Sequence, residues 1–335
     1  MCRLNYIDQL KGFAILCVIF GHVMLFCLQS SHGSVLCQMV TSFHMPLFAF
    51  LSGLMFKQVI GWKNALHKLG LQSQKLLLPF VVVGLLYTYL TLDMGGVNFI
   101  ENPAKLGYWY LFFLWQCYVL THIYNNLIAR YLKEKGRWRL LMDVAWMLLV
   151  LLLVKVGGRI SDLTSDIWGL FWLFQLYPIF LLGHIIQREG YIEKAFLWKQ
   201  RCFDGTILLF MALFALAVTL LVAREEMVRR MIAAPFAVYA IICLFVKYSG
   251  KENKGKKWLE NFGKHSLDIY VLHYFLIQQC HMEFIGNGDC WMSGCYLVII
   301  FLALVLTVII AATCLAMSWL IRQSRLFTFL FLGVK

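Results

Sequence analysis

The stretch that decides the fold is residues 10–28, which read LKGFAILCVIFGHVMLFCL. A helix needs about 20 predominantly apolar residues to cross the hydrocarbon layer of a bilayer, and this run has that length. Its one histidine, His22, lies near mid-span. Because an ionisable side chain inside a membrane costs free energy, it is interpreted by default as functional. The run therefore predicts a membrane protein with a site inside the first helix.

The composition extends this interpretation to the whole chain of 335 residues, which is 61% hydrophobic and 14% charged. An ordinary soluble protein is about 25% charged. Apolar runs of spanning length predict an all-α, polytopic membrane bundle of about ten transmembrane helices. They lie at about 10–28, 35–56, 76–92, 106–129, 140–156, 167–187, 203–223, 232–248, 267–285 and 295–321. The connections are too short for a soluble domain, so residues 1–335 are predicted to form a single integral membrane domain.

The basic residues predict the orientation. With both termini inside, 24 of the 30 lysines and arginines fall on the inner side, which is a strong positive-inside bias. The net charge of +13 is thus a topology signal, and nucleic-acid binding is not expected. The six basic residues left on the outer side are Lys105, Lys155, Arg159, Arg224, Arg229 and Arg230.

Cysteines and metal-ligand spacings offer no further site. The eleven cysteines are dispersed without a Cys-x-x-Cys pair and are interpreted as apolar filler. No His-Glu-x-x-His or similar spacing is present, so neither a metal nor a bound cofactor is predicted.

Lys11 and His22 are eleven residues apart, close to three helical turns, and so share one helix face about 16 Å apart. Asp8 lies one turn before Lys11 and can pair with it. This pattern predicts a charge pair at the cytoplasmic mouth and an imidazole near the midplane. The alternative is a buried histidine bonded to a backbone carbonyl, with Lys11 as a topological anchor.

A second histidine, His44, enters from the outer end of the second span and should reach a depth similar to that of His22. Imidazole has a pKa near 6.5 and can accept a proton at physiological pH. The two histidines are therefore predicted to act together. Ser52 and Gly53, further along the same helix, are interpreted as small residues for close helix packing.

A polar stripe marks the ninth span, where Ser266, Tyr270 and His273 recur at helical spacing. At the inner end of a helix such a stripe suits a polar or anionic ligand. The alternative is packing against a neighbouring helix.

Three blocks resemble the acyltransferase-3 family of integral membrane acyltransferases, most closely its fucose 4-O-acetylase-like branch. They are Tyr6-Ile7-Asp8-x-x-Lys11-Gly12 with His22, the block Ser42-Phe43-His44-Met45-Pro46-Leu47-Phe48 with Ser52-Gly53, and Gly263-Lys264-x-Ser266-Leu267-x-Ile269-Tyr270-x-x-His273. A basic residue ahead of the first-span histidine is a family signature, which Lys11 and His22 fit. The resemblance implies transfer of an acyl group, usually acetyl from acetyl-CoA as co-substrate, to a sugar hydroxyl of an envelope or capsular glycan.

The resemblance implies His22 and His44 as catalytic residues, with His22 either a general base or an acyl carrier. It also implies the donor-binding residues Asp8, Lys11, Lys75, Ser266, Tyr270 and His273. Many relatives carry an arginine-rich segment after the second span. Here that segment reads Gln72-Ser73-Gln74-Lys75, so only Lys75 keeps a charge.

The implied partners are acyl-CoA, a sugar acceptor, the lipid bilayer and glycan-assembly machinery, and the implied location is the bacterial cytoplasmic (inner) membrane. A different class remains open: a proton-coupled transporter or exporter of a lipid-linked or sugar substrate that uses the intramembrane histidines. Transporters often show internal repeats, and none is evident here.

Overall fold

The structure is a computed structural model, and it describes residues 5–28, 35–91, 99, 102, 104–132, 137–161, 167–190, 204–221, 226–248, 253–280 and 296–334. Within these ranges every regular element is helical, which confirms the predicted all-α class.

Twelve α-helices are described. They are α1 (Asn5–His22), α2 (Val35–Leu54), α3 (Trp62–Thr91), α4 (Trp109–Leu127), α5 (Arg137–Ser161), α6 (Leu170–Arg188), α7 (Asp204–Leu220), α8 (Glu226–Tyr248), α9 (Lys254–Lys264), α10 (Ser266–Ile277), α11 (Tyr296–Ile321) and α12 (Arg325–Leu332). Helix α1 continues directly as a π-helix, Val23–Cys27.

Six helical segments in the described part of the chain are long and apolar enough to cross a membrane. They are Asn5–Cys27, Trp62–Leu90, Trp138–Gly158, Leu170–Arg188, Val228–Tyr248 and Leu297–Ile321. Each of the other four predicted spans overlaps a helix, namely α2, α4, α7 or α10. The protein is thus an integral membrane protein, whereas ten spans with both termini inside remain a prediction.

Two helices differ in extent from the apolar runs that predicted them. Helix α3 begins at Trp62 instead of residue 76, because the lysines and glutamines before residue 76 are good helix formers. At about 45 Å the helix is longer than the roughly 30 Å hydrocarbon layer. Helix α10 ends at Ile277, although the predicted span ran to residue 285.

The chain divides into two compact units: unit 1 is Met1–Phe48 with Glu193–Leu320, and unit 2 is Ala49–Ile192 with Ile321–Lys335. We describe each unit by itself. The single membrane domain over residues 1–335 stays a prediction.

In unit 1, glycines bring the backbones of α1 and α9 together. A Cβ atom on Gly12 would overlap the carbonyl oxygen of Leu259, and one on Gly263 would overlap that of Asp8. Both glycines belong to the sequence blocks quoted above. Small residues that allow close backbone approach are typical of helix packing in membranes.

In unit 2, glycines also allow close backbone contact, where the end of α2 meets α6. A Cβ atom on Gly53 would overlap the carbonyl oxygen of Phe180, and one on Gly183 would overlap that of Phe50. This contact confirms the close packing predicted at Gly53. The neighbouring Ser52 hydroxyl lies 3.1 Å from the Tyr110 hydroxyl.

Candidate active site

Helix α1 places His22 where its winding changes. His22 is the last α-helical residue, and the following turn is π-helical, closed by a hydrogen bond of 3.0 Å from Leu28 N to Val23 O. Single π-helical turns inside α-helices are frequent at functional sites. Further back on α1, Asp8 is buried and Lys11 is half-buried; their pairing stays a prediction.

Two side chains of α10 contact the His22 imidazole within unit 1. The Tyr274 hydroxyl lies 3.1 Å from Nε2 and 3.4 Å from Nδ1 of His22, with ring centroids 4.9 Å apart. The His273 ring centroid lies 5.3 Å from that of His22. The structure therefore joins the first and ninth predicted spans at His22.

His273 and His44 are held in the same tautomer. Nδ1 of His273 lies 2.7 Å from the carbonyl oxygen of Tyr270, and Nδ1 of His44 lies 2.7 Å from that of Val40. Because a carbonyl oxygen only accepts, Nδ1 carries the hydrogen in both rings, and Nε2 of the neutral ring has a lone pair. Nε2 of His273 is buried without a hydrogen-bond partner among the described residues.

His22 differs from both. Its hydrogen-bond partner is the Tyr274 hydroxyl, and no backbone carbonyl in the described part of the chain holds its ring. The alternative derived from the sequence, a histidine bonded to a backbone carbonyl, describes His44 and His273 instead. The titratable groups within electrostatic range of His22 are His273 and His44.

The start of α10 carries a feature that sequence reasoning missed. Asp268 is buried in the first turn and accepts hydrogen bonds from the Ser318 hydroxyl at 2.7 Å and from Nδ1 of His265 at 3.2 Å. The sequence contains a signal for Asp268, because it is an ionisable residue within an apolar run. The same signal identified His22. Beside Asp268, Ser266 is half-buried, and Tyr270 is buried with its ring centroid 5.6 Å from that of His273.

Lys75 belongs to unit 2 and lies on α3 with an exposed side chain. Its backbone packs against Gly333, whose positive φ of 63° ends α12. The structure thus leaves the Lys75 ammonium available at the surface of unit 2, and its predicted contact with the donor stays a prediction.

Unit 2 contains a second pair of buried histidines that sequence reasoning missed. His122 and His184 both pack on Phe56, with ring centroids 4.9 and 5.1 Å from it. Nε2 of His122 lies 3.0 Å from Oε1 of Gln72. These are again histidines inside apolar helices, so the rule applied to His22 would have found them.

A buried ion pair lies in the same unit. Arg188 donates to both carboxylate oxygens of Asp143, at 2.8 and 2.6 Å, and the Tyr124 hydroxyl donates to the same carboxylate. A bidentate, fully hydrogen-bonded pair of this kind is the arrangement in which a buried charge is tolerated. We interpret it as structural.

The described residues include no group of three or more histidine, cysteine, aspartate or glutamate side chains that could hold a metal ion.

The chain matches the model of the acyltransferase-3 family, described as an acyltransferase domain, over residues 4–323. Because the match covers nearly the whole chain, the protein belongs to the acyltransferase-3 family. It is a membrane acyltransferase, as the sequence blocks predicted. Neither a curated protein nor a solved structure matches the chain. The fucose 4-O-acetylase-like branch remains a prediction.

Proposed function

We propose that the protein is an O-acetyltransferase that moves an acetyl group from acetyl-CoA to a hydroxyl of an envelope, capsular or exopolysaccharide sugar. Its location would be the bacterial cytoplasmic membrane. The observation that carries the proposal is the contact of His22 with Tyr274 and His273 in a member of the acyltransferase-3 family.

In this proposal His22 is the general base. One ring nitrogen takes the proton of the acceptor hydroxyl while the hydroxyl oxygen attacks the thioester carbonyl carbon. The tetrahedral intermediate then collapses, the C–S bond breaks, and CoA leaves as a thiolate that takes up a proton. His22 suits this role because no backbone carbonyl among the described residues holds its nitrogens. Positioned proton transfer contributes typically about 10²–10⁴-fold to the rate.

His44 and His273 would assist without exchanging protons. Their Nδ1 hydrogens are committed to backbone carbonyls, so each offers Nε2 as an acceptor for other hydroxyls of the sugar. Tyr274 would act as a positioning residue, because its hydroxyl orients the His22 ring.

The donor would bind toward the start of α1. CoA carries its phosphates at one end and the thioester at the other, so the roughly 16 Å from Lys11 to His22 along the helix suits an extended donor. Lys11 would meet the phosphates, with Asp8 orienting it. Ser266 and Tyr270 on α10 would complete the donor contacts within unit 1.

The test uses protein purified into lipid nanodiscs without an ion gradient, supplied with acetyl-labelled acetyl-CoA and envelope glycan from a strain that lacks the gene. We expect release of CoA thiol and label in an alkali-labile ester on the glycan. Release of neither product would contradict the proposal. A substrate flux that needs a proton gradient would instead favour the transporter.

A further inference from the structure

A second polar cluster in unit 1 lies where the first turns of α8 meet α2. Arg229 and Arg230 are only 7% and 8% exposed. Arg229 donates from Nε to the Ser42 hydroxyl at 3.2 Å and from Nη1 to Oε1 of Gln38 at 3.3 Å. Arg230 donates from Nε to the carbonyl oxygen of Thr41 at 3.2 Å. Two neighbouring guanidinium groups are thus buried against one face of α2.

The partners of Arg229 among the described residues do not balance its charge. Both are neutral, both hydrogen bonds are long for a charged donor, and no carboxylate among the residues that the structure describes pairs with it. A guanidinium cannot lose its proton in a protein. Buried charges are normally paired, because an isolated one is costly. A buried guanidinium whose described partners are neutral is suited to an oxyanion ligand.

The same arginines depart from the charge pattern of the chain. They are two of the six basic residues that the sequence places on the outer side, where positive charge is otherwise scarce. A basic residue that only fixes the topology is expected on the inner side of the membrane and exposed. Arg229 and Arg230 meet neither expectation. A ligand supplies a reason for both departures.

The cluster connects to the candidate active site through α2. Arg230 lies within electrostatic range of His44, and His44 lies within that range of His22. An anion held by the arginines would therefore lie near His44, the histidine of α2 that interacts electrostatically with His22. That is the arrangement expected if one molecule brings both the anion and the reacting hydroxyl.

We infer that Arg229 and Arg230 bind an oxyanion, phosphate or carboxylate, carried by the sugar acceptor. The inference rests on the proposed function and narrows its substrate class to acidic or phosphorylated glycans. Arg229 supplies a fork of parallel N–H donors that matches either oxyanion.

Binding is tested without turnover, on protein in a non-ionic detergent with its lipid removed. Sodium glucuronate and inorganic pyrophosphate are the two probes, and they distinguish a carboxylate from a phosphate acceptor. We expect at least one of them to raise the Tm by about 2 °C or more. The gain should disappear in Arg229→Gln and persist in Arg325→Gln, which removes an exposed arginine of α12.

A second variant keeps the test decisive if Arg229→Gln does not fold. Gln38→Glu places a carboxylate 3.3 Å from Nη1 of Arg229 and so supplies the counter-ion from within. It should raise the Tm of the ligand-free protein and abolish the gain from added anion. An unchanged anion gain in Gln38→Glu would overturn the inference, as would no gain with either probe in the wild type.

Two further outcomes distinguish this inference from a lipid-binding site and from a failure of the proposed function. If phosphatidylglycerol alone gives the gain that depends on Arg229, the site is a lipid site and the acceptor inference is wrong. If the anion gain appears as expected while acetyl-CoA is never consumed, the proposed function fails and the anion site stands. In turnover with an acidic acceptor, Arg229→Gln should raise the acceptor KM about tenfold or more and leave kcat nearly unchanged.

Discussion

The hydroxyl of Tyr274 lies 3.1 Å from Nε2 of His22, although 252 residues separate the two in the chain. A buried tyrosine hydroxyl normally finds a hydrogen-bond partner, and here that partner is the histidine at the end of α1. The orientation of the His22 ring at the end of the first helix therefore depends on α10.

Tyr274→Phe removes this hydrogen bond and keeps the ring. We expect kcat to fall about 3- to 10-fold, which corresponds to the net free energy of one hydrogen bond, with the acceptor KM and the Tm nearly unchanged. Steady-state kinetics of the purified variant measure both parameters. A fall that appears only in KM would show that Tyr274 binds substrate and does not position His22.

His22→Gln keeps a polar side chain and loses the titratable nitrogen. If His22 is the general base, turnover should fall at least about 10²-fold, while membrane yield and thermal stability change little. His44→Asn should be intermediate, because an amide partly mimics a positioning hydrogen bond. The matched control is His67→Gln, on the exposed face of α3. Near-normal acetyl transfer by His22→Gln would return His22 to a packing role.

Much of this site was predictable from the sequence, because one rule covers it: an ionisable group inside an apolar helix needs a reason. The rule indicated His22, His44 and His273. Applied throughout, it would also have indicated Asp268, His122 and His184. What it could not supply is the pairing of residues distant in the chain, such as Tyr274 with His22, because helical periodicity places residues on a face and says nothing about which helix that face meets.

Lys11→Ala should weaken donor binding if the ammonium meets CoA phosphates. We expect the KM for acetyl-CoA to rise about tenfold, and Lys11→Arg to recover part of the loss because it keeps the charge. Titration of the purified variants with CoA measures this directly. Equal affinity in wild type and Lys11→Ala would remove Lys11 from the donor site.

Gly12→Ala and Gly263→Ala should each destabilise unit 1. A Cβ atom at either position meets backbone of the facing helix, which cannot rotate away as a side chain can. Overpacking of this kind costs about 1–3 kcal/mol. Gly70→Ala is the control, because a Cβ atom there meets nothing within 4 Å and an exposed helical glycine gains up to about 1 kcal/mol on replacement. Thermal unfolding in detergent should show a lower Tm for Gly12→Ala and Gly263→Ala and an equal or higher Tm for Gly70→Ala.

Asp143→Asn leaves the Arg188 guanidinium buried with its main partner neutralised. We expect a loss of about 3–5 kcal/mol of unfolding free energy. The double variant Asp143→Leu with Arg188→Met should lose less than Asp143→Asn alone, because no buried charge remains. A double-mutant cycle of the thermal stabilities of Asp143→Leu, Arg188→Met and the double variant provides the comparison. Additive losses would show that the two residues do not depend on each other.

The fold was predictable to the extent that hydropathy decides it. Apolar runs located a helix at each predicted span, since lipid leaves the backbone no other way to satisfy its hydrogen bonds. Hydropathy missed the first half of α3, where Lys63 and Lys75 lie outside any apolar run and yet are helical. Such residues follow helix propensity, which is unaffected by where the lipid ends.

In the π-helical turn at Val23–Cys27 each hydrogen bond spans five residues, whereas an α-helical hydrogen bond spans four. The π-helical turn therefore contains one extra residue. In an alignment of relatives it would read as a one-residue insertion directly after the histidine. Deleting one residue there would rewind the turn as α-helix and rotate everything beyond it by about 100° about the helix axis. Cys27, whose thiol donates to the carbonyl oxygen of Ile277 at 3.6 Å, would then turn away from α10. Relatives that lack the insertion should therefore dock the end of their first helix differently, even where the histidine itself is kept.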